Sequence, residues 1–330
     1  MTESVRHHER KVCKLISEAR LSTMGLLMLI IMLFHNQFGV LGAWGRFIAL
    51  YGHWAVDAFL FLSGFGLFYA LNKERDYSVK RYLLRRFVRI VPAAAVAGTV
   101  IYMCGFSDCL GVLGLNLWYV RTILILYLLS PFIYKSLTKW NPTVVALVYI
   151  IISFVLVMVS VPLLIKSSFV WKSTVCWTFA RVPAFVIGMY VARMDFDLKK
   201  VLHPAYVVFV IACIVVALHF HEERAALKSL STYLHLLPYT LVAFSLPLII
   251  TLFGCAKSYI KGGGIESILV FLGTYSLELY LVHEAIFKYV AKNGGAPEIK
   301  FLSAYGASVV SAIALNSIVH NIVSKGSKNS

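Results

Sequence analysis

Charge is scarce in this sequence. Only 14% of its 330 residues are Asp, Glu, Lys or Arg, while 60% are hydrophobic. A water-soluble domain carries nearer ~25% charge, so the composition excludes that class and predicts a membrane protein that crosses the bilayer many times. Acid is scarcer still, with 15 acidic against 31 basic residues and a net charge of +16. Such a balance can signal nucleic-acid binding. Here the basic residues fall between apolar runs on alternate sides, which fits anionic headgroups, positive-inside topology and an anionic substrate instead, with no nucleic acid. The six cysteines form no C-x-x-C and no metal-ligand spacing, so no metal centre is expected. Cys104 and Cys109 are the pair placed to bridge near one surface. Cys13, Cys176, Cys213 and Cys255 read as small apolar helix residues. No small-residue cleavage site follows the first apolar run, which therefore reads as a signal anchor. There is no internal repeat, no low-complexity run and no soluble segment long enough to fold alone, so one membrane domain is expected.

Spans need about 17–25 apolar residues. Ten are predicted, at 21–38, 54–72, 87–107, 117–135, 143–164, 175–194, 204–220, 234–254, 267–287 and 301–323. Runs of this length exclude alternating barrel strands, so the fold class is an all-α polytopic bundle. Residues 1–20 carry Arg6, Arg10, Lys11, Lys14 and Arg20 and read as a cytoplasmic amphipathic helix on the membrane surface. The transmembrane domain is then 21–323 and the tail 324–330. Five Lys/Arg in the N-terminal segment, six in the 73–86 loop and nine in the remaining loops of that side and the tail make twenty, against eight on the other side. That asymmetry predicts both termini in the cytoplasm.

Ionised groups in a span are costly, by roughly 2.5–3.5 kcal/mol or more, and usually face a cavity or a partner. His35, His53, Asp57, Trp118, Arg121, His283 and Glu284 all map near the outer ends of four predicted spans. Asp57 and Arg89 read as the two ends of a buried polar path. Gly273, Ser276, Tyr280 and His283 or Glu284 recur at helical spacing as one stripe, and Arg181, Phe185 and Gly188 as another, where Gly permits close helix approach. Tyr82, Arg85 or Arg86, and Arg89 share a helix face toward the cytoplasm. Ordinary positive-inside flanking explains that face equally well. Ser63-Gly64 reads as a packing notch, since G-x-S-x-G is absent and a Ser nucleophile needs a neighbouring base.

These residues, in this order, resemble the integral-membrane acyltransferase 3 family. The resemblance rests on Leu33-Phe34-His35-Asn36, Val56-Asp57-Ala58-Phe59 through Ser63-Gly64-Phe65, and Arg86-x-x-Arg89-Ile90-x-Pro92. It continues through Leu117-Trp118-Tyr119 with Tyr127 and Pro131, then Arg181-x-Pro183-x-Phe185-x-x-Gly188. It closes on Gly273-x-x-Ser276-Leu277-x-x-Tyr280-Leu281-x-His283. It implies an O-acyltransferase, most simply O-acetyl, using acyl-CoA (acetyl-CoA) as a cytoplasmic donor co-substrate, with no bound cofactor. The acceptor it implies is a hydroxyl of a cell-envelope or exported glycan, free or lipid-linked, at a bacterial inner membrane. His35 resembles the family's first-span His, a general base, and Asp57 is the second candidate catalytic residue. Arg85, Arg86 and Arg89 would bind CoA phosphates bidentately. His53, Trp118, Arg121, Arg181, Ser276, Tyr280, His283 and Glu284 would line the acceptor path. One departure stands out: the family's Arg eleven residues before the His is Met24 here, and Arg20, one turn earlier, is the candidate replacement. A hydrolase-like C-terminal domain found in some family members has no counterpart in this sequence, so a relay to one would need a separate protein. The alternative reading is a transporter or flippase using the same polar cavity.

Overall fold

A computed structural model describes residues 11–36, 38–73, 78–105, 118–163, 169–223, 237–292 and 295–328. Arg6, Arg10, Cys109 and Leu117 lie outside the described residues, as do Arg75, Lys166, Arg224 and Lys228, which belong to the basic residues counted for the two sides. The described residues form thirteen helices and no strand: α1 (Val12–Phe34), α2 (Gly42–Tyr51), α3 (Trp54–Lys73), α4 (Val79–Met103), α5 (Trp118–Lys139), α6 (Pro142–Leu163), α7 (Phe169–Met194), α8 (Leu198–Val201), α9 (Pro204–Glu223), α10 (Leu237–Ile260), α11 (Gly264–Thr274), α12 (Ser276–Lys292) and α13 (Pro297–Lys328).

Every predicted span has a helical counterpart. Among the described residues eight helices are long and apolar enough to cross a membrane. The seventh predicted span is shorter, with its apolar stretch at Pro204–Phe220. The ninth is broken: α11 and α12 meet at Tyr275 with a bend of 82°. Both halves are apolar, so hydropathy reads one rod where the chain turns.

The N-terminal segment also departs from expectation. Instead of a separate surface helix ending near residue 20, one helix runs from Val12 to Phe34. Its early turns are buried at Val12, Ile16 and Ala19. Lys11 pairs with Asp197, and Lys257 reaches both the Glu18 carbonyl and the Glu266 carboxylate. Three segments assigned to the same basic side thus meet at one end of the bundle. Cys104 carries a free thiol.

The centre of the bundle is α3 against α7, whose apolar stretches are 72% and 78% buried, compared with 22% for the peripheral α6 and α13. Small residues bring these two helices together. A Cβ on Gly64 would collide with the main-chain carbonyl of Phe185, and one on Gly188 with that of Phe61. The expected notch and stripe are therefore two sides of one crossing. Gly25 and Gly273 make a second such crossing between α1 and α11, each pressed on the other helix's backbone. Gly273 therefore packs helices and leaves the polar stripe to Ser276, Tyr280 and His283. The break at Tyr275 separates the two roles.

Candidate active site

Between α1, α3, α4, α5 and α12 lies a cavity of about 340 Å³. One end is cationic: Arg20, Arg86 and Arg89 all line it. Arg86 and Arg89 are one turn apart on α4, which is why Arg-x-x-Arg presents two guanidiniums to one space. Arg85 is exposed and does not line the cavity, so of the expected trio Arg86 and Arg89 face this space, with Arg20 beside them. Met24, at the position of the family's Arg, also lines the wall. Arg20 enters because α1 continues below the expected span start and because α3 offers a glycine. Its guanidinium lies against Gly66, where an added Cβ would stand 2.8 Å from Nη2. Its Nε is buried without a hydrogen-bond partner.

The wall then runs through Tyr127 and Ser63 to Tyr119, Tyr280 and Ile31. From Arg20 to Ile31 α1 rises about 16 Å at 1.5 Å per residue. Tyr119 and Tyr280 close this end with ring centroids 4.7 Å apart. Ser63 lies within hydrogen-bond reach of the Tyr119 hydroxyl. The break at Tyr275 puts the first turn of α12 here, with Ser276 and Leu277 on the wall.

One turn beyond Ile31 on α1 is His35, and one turn beyond Tyr280 on α12 is His283. Their rings are 5.1 Å apart, edge to face, and His283 lies 5.7 Å from Tyr280. His35 is half-buried, whereas His283 is only 1% exposed. His283 Nδ1 sits 2.9 Å from the carbonyl oxygens of both Leu279 and Tyr280. Carbonyls only accept, so Nδ1 carries the hydrogen and Nε2 keeps its lone pair. That Nε2 is buried and has no hydrogen-bond partner. Glu284 bonds Lys288 at 2.7 Å, and both charges act on His35. The two histidines thus stand just past the tyrosine pair, at the opposite end from the arginines.

Asp57 does not join them. It is fully buried and pairs with Arg181, 3.4 Å from Nε to Oδ1. The Arg181 guanidinium sits over the rings of Trp118 and Tyr239 at 4.3 and 4.2 Å, with Trp177 at 5.2 Å. Desolvated contacts of this kind are worth about 2 kcal/mol. None of Asp57, Trp118 or Arg181 lines the cavity, so a direct role for them in donor or acceptor binding does not follow from this geometry. Their position beside the α3–α7 crossing fits a buried brace. Arg121, one turn past Trp118, is half-buried and also off the cavity wall. His53 packs on Phe34, Trp54 and Tyr239 at 5.9, 5.6 and 5.5 Å, between the histidine pair and this brace. Among the described residues no group of three His, Cys, Asp or Glu is placed to hold a metal ion.

The family model described as an acyltransferase domain matches residues 25–320. The chain belongs to the acyltransferase 3 family. It is a multi-pass membrane acyltransferase. No curated protein and no solved structure matches it. The matched region holds every residue of the cavity except Arg20 and Met24. Met24 interrupts the expected motif, and Arg20, the candidate replacement, lines the cavity because α1 runs on through that segment.

Proposed function

We propose that this membrane acyltransferase takes an acyl group from acyl-CoA, acetyl-CoA in the simplest case, and transfers it to a hydroxyl of a cell-envelope or exported glycan. The donor enters at the arginine end from the cytoplasm of a bacterial cell, and the acceptor meets the histidine end on the far side of the inner membrane. The observation that carries this reading is the single cavity with three arginines at one end and, one turn past its other end, two histidines. Coenzyme A has phosphates at one extremity and the thioester at the other, joined by a long thin arm. Guanidiniums suit the phosphates, since they bond phosphate oxygens in a planar fork. A hydroxyl attacks a thioester poorly until a base removes its proton, and His is the side chain suited to that task near neutral pH. In the transfer the hydroxyl oxygen bonds the acyl carbon, the C–S bond breaks, and the proton released from the hydroxyl ends on the departing CoA thiolate. His35 is the residue that faces the acceptor, since it is the more exposed of the two.

Two measurements test this together. The purified protein in nanodiscs should bind acetyl-CoA, and Arg86→Ala or Arg89→Ala should each weaken that binding by roughly 10- to 150-fold, the equivalent of about 1.5–3 kcal/mol for a lost charge-assisted bond. In cells, His35→Gln at matched protein levels should leave the glycan without ester-linked acyl groups, since losing a general base costs about 10²–10⁴-fold. Unchanged acetyl-CoA binding in both arginine variants would move the donor elsewhere. Near wild-type esterification in His35→Gln would remove His35 as the base.

A further inference from the structure

Resting on the reading above, we propose that His283 is a second, indispensable member of the proton-handling apparatus: its Nε2 holds the acceptor-hydroxyl proton that passes through His35. Three observations converge on that one atom. Both carbonyls around Nδ1 demand its hydrogen, so the tautomer is set by backbone and Nε2 is the only basic nitrogen on the ring. Nε2 is buried with no hydrogen-bond partner. A buried polar atom left unpaired costs about 1–3 kcal/mol, a cost that a purely structural histidine has no reason to bear. The ring of His35 packs on that of His283, with centroids 5.1 Å apart, closer than those of Tyr280 and Phe287.

A packing histidine would place both nitrogens against partners or yield to an apolar residue of similar size. This one is held by Nδ1 and leaves the Nε2 lone pair unclaimed. The arrangement resolves a difficulty of a lone His35. A single imidazole exposed at the acceptor face can return its proton to water before the thioester is cleaved. Passing it inward, directly or through one water molecule, keeps it beside the thiolate that must receive it. His35 gives up one N–H proton as it takes the hydroxyl proton on its other nitrogen. His283 becomes imidazolium and returns the proton through His35 to the CoA thiolate, which leaves as the thiol. Atoms and charge balance with no further reactant. His283 acts through His35, so it is a positioning and proton-holding residue and not the group that touches the acceptor.

The side-chain geometry of Asn and Gln supplies the test. An Asn amide can stand where Nδ1 stands and still donate to the Leu279 and Tyr280 carbonyls, but it has no basic nitrogen at the Nε2 position. His283→Asn should therefore insert and bind acetyl-CoA, yet transfer the acyl group to the acceptor at least a hundredfold more slowly in kcat. In His283→Gly, added imidazole should restore part of the rate in a concentration-dependent manner, since the vacated space fits the ring. A histidine needed only for its Nδ1 bonds would give an active Asn variant, and that result would overturn the proposal. So would an inactive Gly variant that still binds acetyl-CoA and is indifferent to imidazole. Acetyl-CoA binding by the unmodified protein is measured alongside. Its absence would defeat the donor reading itself, whereas its presence with an active Asn variant defeats only the role of His283.

Discussion

Replacing one glycine at a time on α3 separates the site from the fold. Gly64 and Gly66 are two residues apart on the same helix, yet they face different things. An alanine Cβ at Gly66 would stand 2.8 Å from Arg20 Nη2, whereas ordinary contact begins near 3.4 Å. The guanidinium is the far end of a flexible side chain and can retreat by that difference, about 0.6 Å. A charge-assisted bond of about 2.7–2.9 Å to a phosphate oxygen would then stretch beyond ~3.3 Å, outside the useful range. Losing one such bond costs about 1.5–3 kcal/mol, so Gly66→Ala should weaken acetyl-CoA binding by roughly 10- to 150-fold while thermal unfolding stays near wild type. The same change at Gly64 meets the Phe185 carbonyl, which cannot swing away. There α3 and α7 must separate, at about 1–3 kcal/mol or more. Gly64→Ala should thus lower the unfolding temperature or the yield of inserted protein. The assay is titration calorimetry with acetyl-CoA in nanodiscs, paired with thermal unfolding followed by intrinsic fluorescence. Arg20→Ala is the control. If it binds acetyl-CoA as tightly as wild type, Arg20 has no place in the donor site. If Gly66→Ala binds normally while Arg20→Ala does not, the seat on Gly66 is not what positions the guanidinium.

Two more outcomes follow from the bundle. Asp57→Asn leaves the buried Arg181 uncompensated and should cost about 3–5 kcal/mol of stability, with Asp57→Leu/Arg181→Met recovering much of it; an Asp57→Asn protein that is fully stable but inactive would instead put Asp57 in the chemistry. A reporter fused after Ser330 should read as cytoplasmic, given the twenty-to-eight bias of basic residues, and a periplasmic signal would reverse the sides assigned to the arginines and histidines.

Much of this architecture was legible in the sequence because its main signal is additive. Apolar runs sum along the chain, so each of the ten segments falls on a helix, although among the described residues only eight, or nine with the bent pair, are long and apolar enough to cross a membrane. Spacing on a single helix was legible too, as for Arg86 with Arg89 and Arg181 through Gly188. What escaped depends on which helix faces which. Asp57 and Arg181 each stood out as a charge in an apolar helix, but only the α3–α7 crossing makes them partners. The polar path drawn between Asp57 and Arg89 was half right: Arg89 lines the cavity, and Asp57 is sealed away from it. Arg20 stood out only as the replacement for the Arg missing at Met24; the polar residues around it suggest a surface segment, while Val12, Ile16 and Ala19 on the same helix are buried. The break at Tyr275 left no mark, since no proline interrupts the run and Glu278, three residues on, is tolerated within a helix. The lone pair on His283 follows from two backbone carbonyls, and no residue type announces that.

The crossing of Gly25 with Gly273 also bears on how the molecule is made. Some 250 residues separate these two glycines along the chain. At about 5–20 residues per second, the groove on α1 waits roughly 12–50 s of translation before α11 exists to fill it. At eleven residues, α11 rises only about 16 Å, too short to cross a hydrocarbon core of about 30 Å unaided. It must therefore be carried into place by the partner that has been waiting for it. An early helix thus serves as the template for a late one, and the cavity, walled by α1 and by the helix that follows α11, cannot close until that late docking is done.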